Sequence, residues 1–188
     1  MKSGREKPAT MFAVVSIVLF FFGLTLNVYA TSVKIEGREI LVDGKPFTIE
    51  GVGYSPVPIG VDPETTPPHG DYFTEGFSTI YERDLPLLRQ MGANTIRLHG
   101  WNNTADHNDF LNEAYNDGVV PIYVIATFSI DPSLYPDISS PSARAQIKGD
   151  FGAMVAAHKE HPAIFMWFIG NGLNAPGMYA DRLNDLFV

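Results

Sequence analysis

Cysteine is absent from the 188 residues, so disulfides, thiolate metal sites and cysteine nucleophiles are excluded, and the chain's cysteine usage says nothing of its redox compartment. Past the first ten residues there is no run of Lys or Arg, and the formal net charge is −8, which argues against nucleic acid as a partner. Low-complexity tracts and internal repeats are missing too, leaving an ordinary globular composition of 45% hydrophobic and 18% charged residues. The stretch His158-Lys159-Glu160-His161 lacks the H-E-x-x-H spacing that sets two imidazoles and a base on one helix face. Neither metal nor cofactor is therefore expected.

One long apolar run is present, and it lies at the N-terminus. Lys2, Arg5 and Lys7 precede an apolar segment from Met11 to Leu26, and Val28-Tyr29-Ala30 has the small residues of a processing site. This reads as a signal peptide over residues 1–30, giving a secreted, extracytoplasmic chain with no membrane contact after cleavage. The alternative is an uncleaved N-terminal membrane anchor, because Met11 to Ala30 matches the about 20 residues that span a bilayer.

Residues 31–188 read as alternating strands and helices. A hairpin is expected from Ile35 to Leu41 and Pro46 to Val52 around Asp43-Gly44, the pair that supplies positive φ in a two-residue turn, and its second strand continues into a first core strand ending at Tyr54. The Pro-rich segment from Ser55 to Gly76 reads as a long loop that could bring Asp62, His69, Asp71 and Tyr72 to a ligand. A helix from Asp84, as cap, to Met91 follows, and then a strand in which Thr95, Arg97 and His99 share one face. A second helix is expected over Asp106–Asn116, stopped by Gly118, and an apolar strand over Val119–Ala126. A third helix opens at Ser140-Pro141 and runs to His158. Trp101, Phe128 and Tyr135 all fall past strand ends, where aromatic faces suit sugar rings.

The run Ile164 to Ile169 has strand length and no polar residue, so it reads as a strand buried on both faces, the habit of parallel α/β sheets. In such sheets chemistry sits just past the carboxyl ends of the strands, which puts Asn171, Gly172 and Asn174 in the functional position. A fourth helix is expected from Met178. Four βα units also fit a doubly wound open sheet, but no Gly-rich phosphate turn follows the first strand.

The segments "VDGKPFTIEGVGYSP", "LPLLRQMGANTIRLHGWN" and "HPAIFMWFIGNGLNAP" resemble the retaining glycoside hydrolases built on TIM (β/α)8 barrels. The nearest branch is the glucan-active one of cellulase-like enzymes and β-1,3-glucanosyltransferases. The resemblance implies an α/β fold, a partial TIM barrel of about the first four βα units preceded by a β-hairpin. It implies that residues 31–188 are the N-terminal half of a catalytic domain acting on an extracellular polysaccharide or oligosaccharide. It places Tyr54, Arg97, His99, Trp101, Tyr135 and Asn171 as substrate-binding residues, with Asn171 partnering the sugar 2-hydroxyl. The family pattern Gly-Asn-Glu ends in the general acid/base, and here that position is Gly172. Retaining chemistry needs two carboxyl groups about 5 Å apart, from strands four and seven in this clan. No intact catalytic set is therefore expected. The implied function is a glycoside hydrolase-family chain, truncated and inactive; the alternative is a non-catalytic carbohydrate-binding or interaction protein. Half a barrel leaves edge strands, so self-association is expected as well.

Overall fold

The computed structural model describes residues 29–175 and residue 179. The signal peptide expected over residues 1–30, apart from its last two residues, and the helix expected from Met178, apart from Tyr179, lie outside the described residues.

The described chain opens with three short antiparallel strands, β1 (Val33–Glu36), β2 (Glu39–Val42) and β3 (Lys45–Phe47), paired in that order. Asp43 and Gly44 join β2 to β3 with φ of 50° and 77°, both positive as a type I′ turn requires. The expected first hairpin strand is in fact two, because Gly37 takes φ 62° and turns the chain between β1 and β2. Nor does the second hairpin strand run on into the core. β3 stops at Phe47, and β4 (Gly51–Tyr54) belongs to a second sheet.

That second sheet holds β4, β5 (Thr95–Leu98), β6 (Tyr123–Phe128) and β7 (Ile164–Ile169), all parallel and in sequence order. Helices α1 (Ser78–Gln90), α2 (Asn108–Tyr115) and α3 (Pro141–His158) make the crossovers. This is the β/α succession of a (β/α)8 barrel. Among the described residues the barrel is not closed.

Two cores follow from the two faces of the parallel sheet. One face packs Ile96, Leu98, Val124 and Ala126 against Leu85, Phe110, Leu111 and Met154 of the helices. On the other, Tyr123, Ile125 and Phe165 meet Val42, with Phe47 set edge-on to Tyr123 at 5.5 Å and tilted on Phe165 at 5.4 Å. The small antiparallel sheet thus plugs the amino ends of the strands and leaves their carboxyl ends open.

β7 departs from the expected two-sided burial. Val124 pairs with Ile164 but Ile125 with Met166, so Phe165 is an extra residue in a bulge. Past it the alternation is inverted: Met166 and Phe168 pack toward the plugged face, while Trp167 packs toward the helices. Trp167 therefore lies on the face opposite Phe165. Burial also fades along the strand, and Ile169 is 41% exposed, because β7 has a strand neighbour on one side only among the described residues.

Three boundaries differ from the sequence reading. α1 starts at Ser78, so Pro86 lies inside the helix and Asp84 is not its cap. The proline ring points to solvent, where losing one backbone bond is tolerated at a cost of up to about 3 kcal/mol. α2 begins at Asn108 rather than Asp106 and ends at Tyr115, and the left-handed residue that stops it is Asn116 at φ 51° rather than Gly118. Val119 is exposed and β6 begins only at Tyr123, because Pro121 has no N–H to give to a ladder. α3 opens with Pro141 behind an extended Ser140, as its sequence indicates.

Candidate active site at the strand carboxyl ends

Strand geometry brings together two residues 74 apart in sequence. Arg97, on the plugged face of β5, donates from Nη2 to Asn171 Oδ1 at 2.8 Å, just past β7. Its Nε reaches Thr127 Oγ1 on β6 at 3.4 Å, and its guanidinium carbon lies 4.7 Å from the centre of the Phe168 ring. Three neighbouring strands therefore fix one half-buried cation. A guanidinium in this position would be expected to pair with a carboxylate, yet among the described residues Arg97 makes no salt bridge. Its partners are an amide, a hydroxyl and an aromatic face. With Oδ1 engaged, the amide of exposed Asn171 keeps its Nδ2 as a donor.

Gly172 stands beside it at φ 61°, and nothing lies within 4 Å of where its Cβ would be. Position 172 thus opens onto free space and carries no side chain that could donate a proton. His99, two residues beyond Arg97, is half-buried, and burial first, then the positive charge of Arg97, holds its pKa below the usual value. It stays neutral at physiological pH.

The remaining expected ligand contacts are placed elsewhere. Tyr54 is buried on the helix-facing side and donates its hydroxyl to Asp84 Oδ2 at 3.1 Å; burial, then the Asp84 charge, raise its pKa. Tyr135 is 5% exposed and donates to Asp150 Oδ2 at 2.9 Å, its pKa pushed up to about 12 by burial and that bond. Phe128 is buried against Phe151 of α3. Trp101 is likewise 5% exposed, its ring stacked on His107 at 3.8 Å. None of these rings stands at the rim as a sugar platform; each packs within the protein. Of the loop residues, Asp71 and Tyr72 are buried, whereas Asp62 and His69 are exposed.

Asp71 belongs to an arrangement that sequence inspection missed. Both of its carboxylate oxygens lie 3.0 Å from His107 Nε2, and Oδ2 also accepts from the Asn102 N–H at 3.2 Å. His158 of α3 meets the Trp101 ring edge-on at 5.2 Å and lies 5.7 Å from His107. A second stitch is steric. Gly100 takes φ 81°, and a Cβ there would fall 2.6 Å from the Gly70 carbonyl carbon. The long segment after β4 is thereby tied down across the carboxyl end of β5. The signal that could have found it is an acid and a histidine each beside an aromatic, Asp71-Tyr72-Phe73 and His107 six residues past Trp101.

His158 and His161 carry lowered pKa values, His158 through burial and then His107, partly offset by Asp106, and His161 through burial and then His158. A histidine held neutral in the fold but free to protonate when unfolded binds fewer protons in the native state below its ordinary value of 6.5. Stability is then complete above that value and lost as pH falls below it. Urea unfolding at pH 7.5 and 5.5 is expected to show a lower midpoint at 5.5, with His158→Gln reducing the difference. An equal or higher midpoint at 5.5 would contradict this.

A parallel β/α sheet with an Arg–Asn pair at its open carboxyl end fits the class of barrel-type glycoside hydrolases. The glucanosyltransferase family pattern of glycoside hydrolase family 72 matches residues 24–179, and the chain belongs to that family. The 1,3-beta-glucanosyltransferase gas5 of Schizosaccharomyces pombe is 32% identical over 94 residues, which is 50% of this chain and 18% of that protein. The crystal structure of ScGas2 in complex with compound 6 superposes with a TM-score of 0.58 at 24% identity, covering 74% of this chain and 31% of that one. Saccharomyces cerevisiae Gas2p in complex with laminaritriose and laminaritetraose gives 0.55 at 22%, covering 72% and 29%. At these identities the two structures establish the shared fold. The chain spans under a fifth of the curated relative and under a third of the solved ones.

Proposed function

We propose that this chain carries the 2-hydroxyl-binding part of a β-1,3-glucan site and binds such glucans without cleaving or transferring them. The observation that supports this reading is the 2.8 Å bond from Arg97 to Asn171, which engages the asparagine's Oδ1 and leaves its Nδ2 as a donor beside a glycine that has no proton to give. A donor amide held by a fixed cation suits a sugar hydroxyl oxygen. The Gas2p structure holding laminari-oligosaccharides makes that sugar class the one to try first. The N-terminal basic and apolar pattern further supports an extracytoplasmic location, and Edman sequencing of the exported chain should begin at Thr31. A retained leader would favour the anchored form.

Binding is testable by calorimetry or by NMR titration with laminaritetraose. Asn171→Ala removes the donor, and Arg97→Met removes the group that orients it. Each is expected to weaken binding about tenfold or more, the equivalent of about 1.4 kcal/mol. Tyr135→Ala, which removes a packed ring rather than a rim, should reduce stability more than affinity. Affinities unchanged by both Asn171→Ala and Arg97→Met would remove the basis of this reading.

A further inference from the structure

Asn102-Asn103-Thr104 is the only Asn-x-Ser/Thr triplet in the sequence, and x is not proline. We propose that Asn102 is an N-glycosylation site. The inference rests on the extracytoplasmic reading above, since only a chain entering the secretory pathway meets the transferring enzyme. The triplet lies just past the carboxyl end of β5, in a turn between Trp101 and α2. Asn102 and Thr104 are both exposed, so a bulky, solvated glycan meets no packing obstacle there.

The side-chain geometry agrees. Asn102 Oδ1 accepts from Thr104 Oγ1 at 2.9 Å and from the Thr104 N–H at 3.0 Å, which engages the carbonyl half of the amide. Its Nδ2 makes no hydrogen bond among the described residues, and a linkage formed at Nδ2 leaves both Oδ1 bonds intact. Behind the turn, the Asn102 backbone N–H is held by buried Asp71, so the exposed acceptor side chain sits on a fixed support. Asn103, the middle residue, faces inward and leaves the two recognised side chains on the outside.

The transfer balances with a lipid-pyrophosphate-linked oligosaccharide as donor. A bond forms between Asn102 Nδ2 and the anomeric carbon of the first sugar, the bond from that carbon to the phosphate oxygen breaks, and the lipid pyrophosphate leaves while Nδ2 loses one proton. Attachment during translocation precedes folding, so it does not depend on how well the finished chain folds.

The test is translation of the full chain with translocation-competent microsomes, followed by endoglycosidase treatment. A single mobility shift that collapses on treatment, is lost in Asn102→Gln and in Thr104→Ala, and survives in Thr104→Ser is expected. A parallel sample carries an unrelated, established signal sequence in place of residues 1–30. A shift in that sample alone would show that the native leader fails while the site is used. A translocated, protease-protected chain without the shift, from either leader, would overturn the proposal.

Discussion

Incubated with laminari-oligosaccharides, the purified chain is expected to release no reducing ends and to form no longer products. Transfer or hydrolysis with retention begins with a proton delivered to the leaving oxygen, and Gly172 offers no group to deliver it. The neighbours cannot stand in. Asn171 and Thr127 carry no group acidic enough to protonate a leaving oxygen, and burial beside Arg97 keeps His99 neutral. Loss of general acid catalysis alone costs about 10²–10⁴ in rate. Gly172→Glu is the informative substitution. The open space past the Cβ position admits the side chain, at a cost of about 1–2 kcal/mol for a non-glycine residue at φ 61°. It returns a carboxyl to the site, but among the described residues Arg97 contacts no second carboxylate to serve as nucleophile about 5 Å away. The single substitution is therefore expected to remain inactive in this chain while retaining the binding that depends on Asn171. Turnover by the unaltered chain, abolished by one Asp or Glu substitution, would show that another residue supplies the proton. Turnover gained by Gly172→Glu would show that a nucleophile is within reach.

The elements that were legible in the sequence are those whose signals are local. Asp43-Gly44 specified its turn, Ser140-Pro141 opened α3, and the apolar run at 164–169 formed β7. Arg97 and Asn171 were named from the family resemblance, and the parallel strands bring their side chains within hydrogen-bond distance of each other. What was not legible depends on how each crossover folds back on itself and on its neighbour. Trp101 and Tyr135 lie past strand ends as rim residues would, but His107 and Asp150 return to them from the same crossovers, and His158 reaches Trp101 from the next one. The bulge at Phe165 was hidden for another reason. In Ile-Phe-Met-Trp-Phe-Ile every residue is apolar, so no polar alternation marks which side chains share a face. Pro86 misled in the opposite direction, a strong local signal for a helix start overridden by Tyr81 and Leu85, whose burial draws the preceding turn into α1.

Asp71→Ala is expected to lower stability more than any single change at the open strand ends. The carboxylate is 1% exposed, lies 3.0 Å through both oxygens from His107 Nε2, and accepts the Asn102 N–H. Deleting it strands the buried His107 ring nitrogen and the part-buried Asn102 N–H at once, and breaking a buried pair by removing one partner costs about 3–5 kcal/mol. At about 2–4 °C per kcal/mol for a chain of this size, the melting temperature should fall by about 10 °C. Asp71→Asn keeps one oxygen for His107 and should cost less than half as much. The substitution also has a local reporter, since Trp101 stacks on the imidazole that Asp71 holds. Once that ring is free to turn, the segment after β4 loses its polar tie to the turn past β5, leaving the Gly70–Gly100 contact and the packing of Phe73 on Tyr54 and Phe110 to hold it. Tryptophan emission from Asp71→Ala should then shift to the red in the native state, whereas a substitution that weakens only the distant core, such as Ile125→Val, should leave it in place. Melting within about 2 °C of the unaltered chain, with unchanged emission, would mean that the buried Asp71–His107 pair does not hold this segment to the sheet.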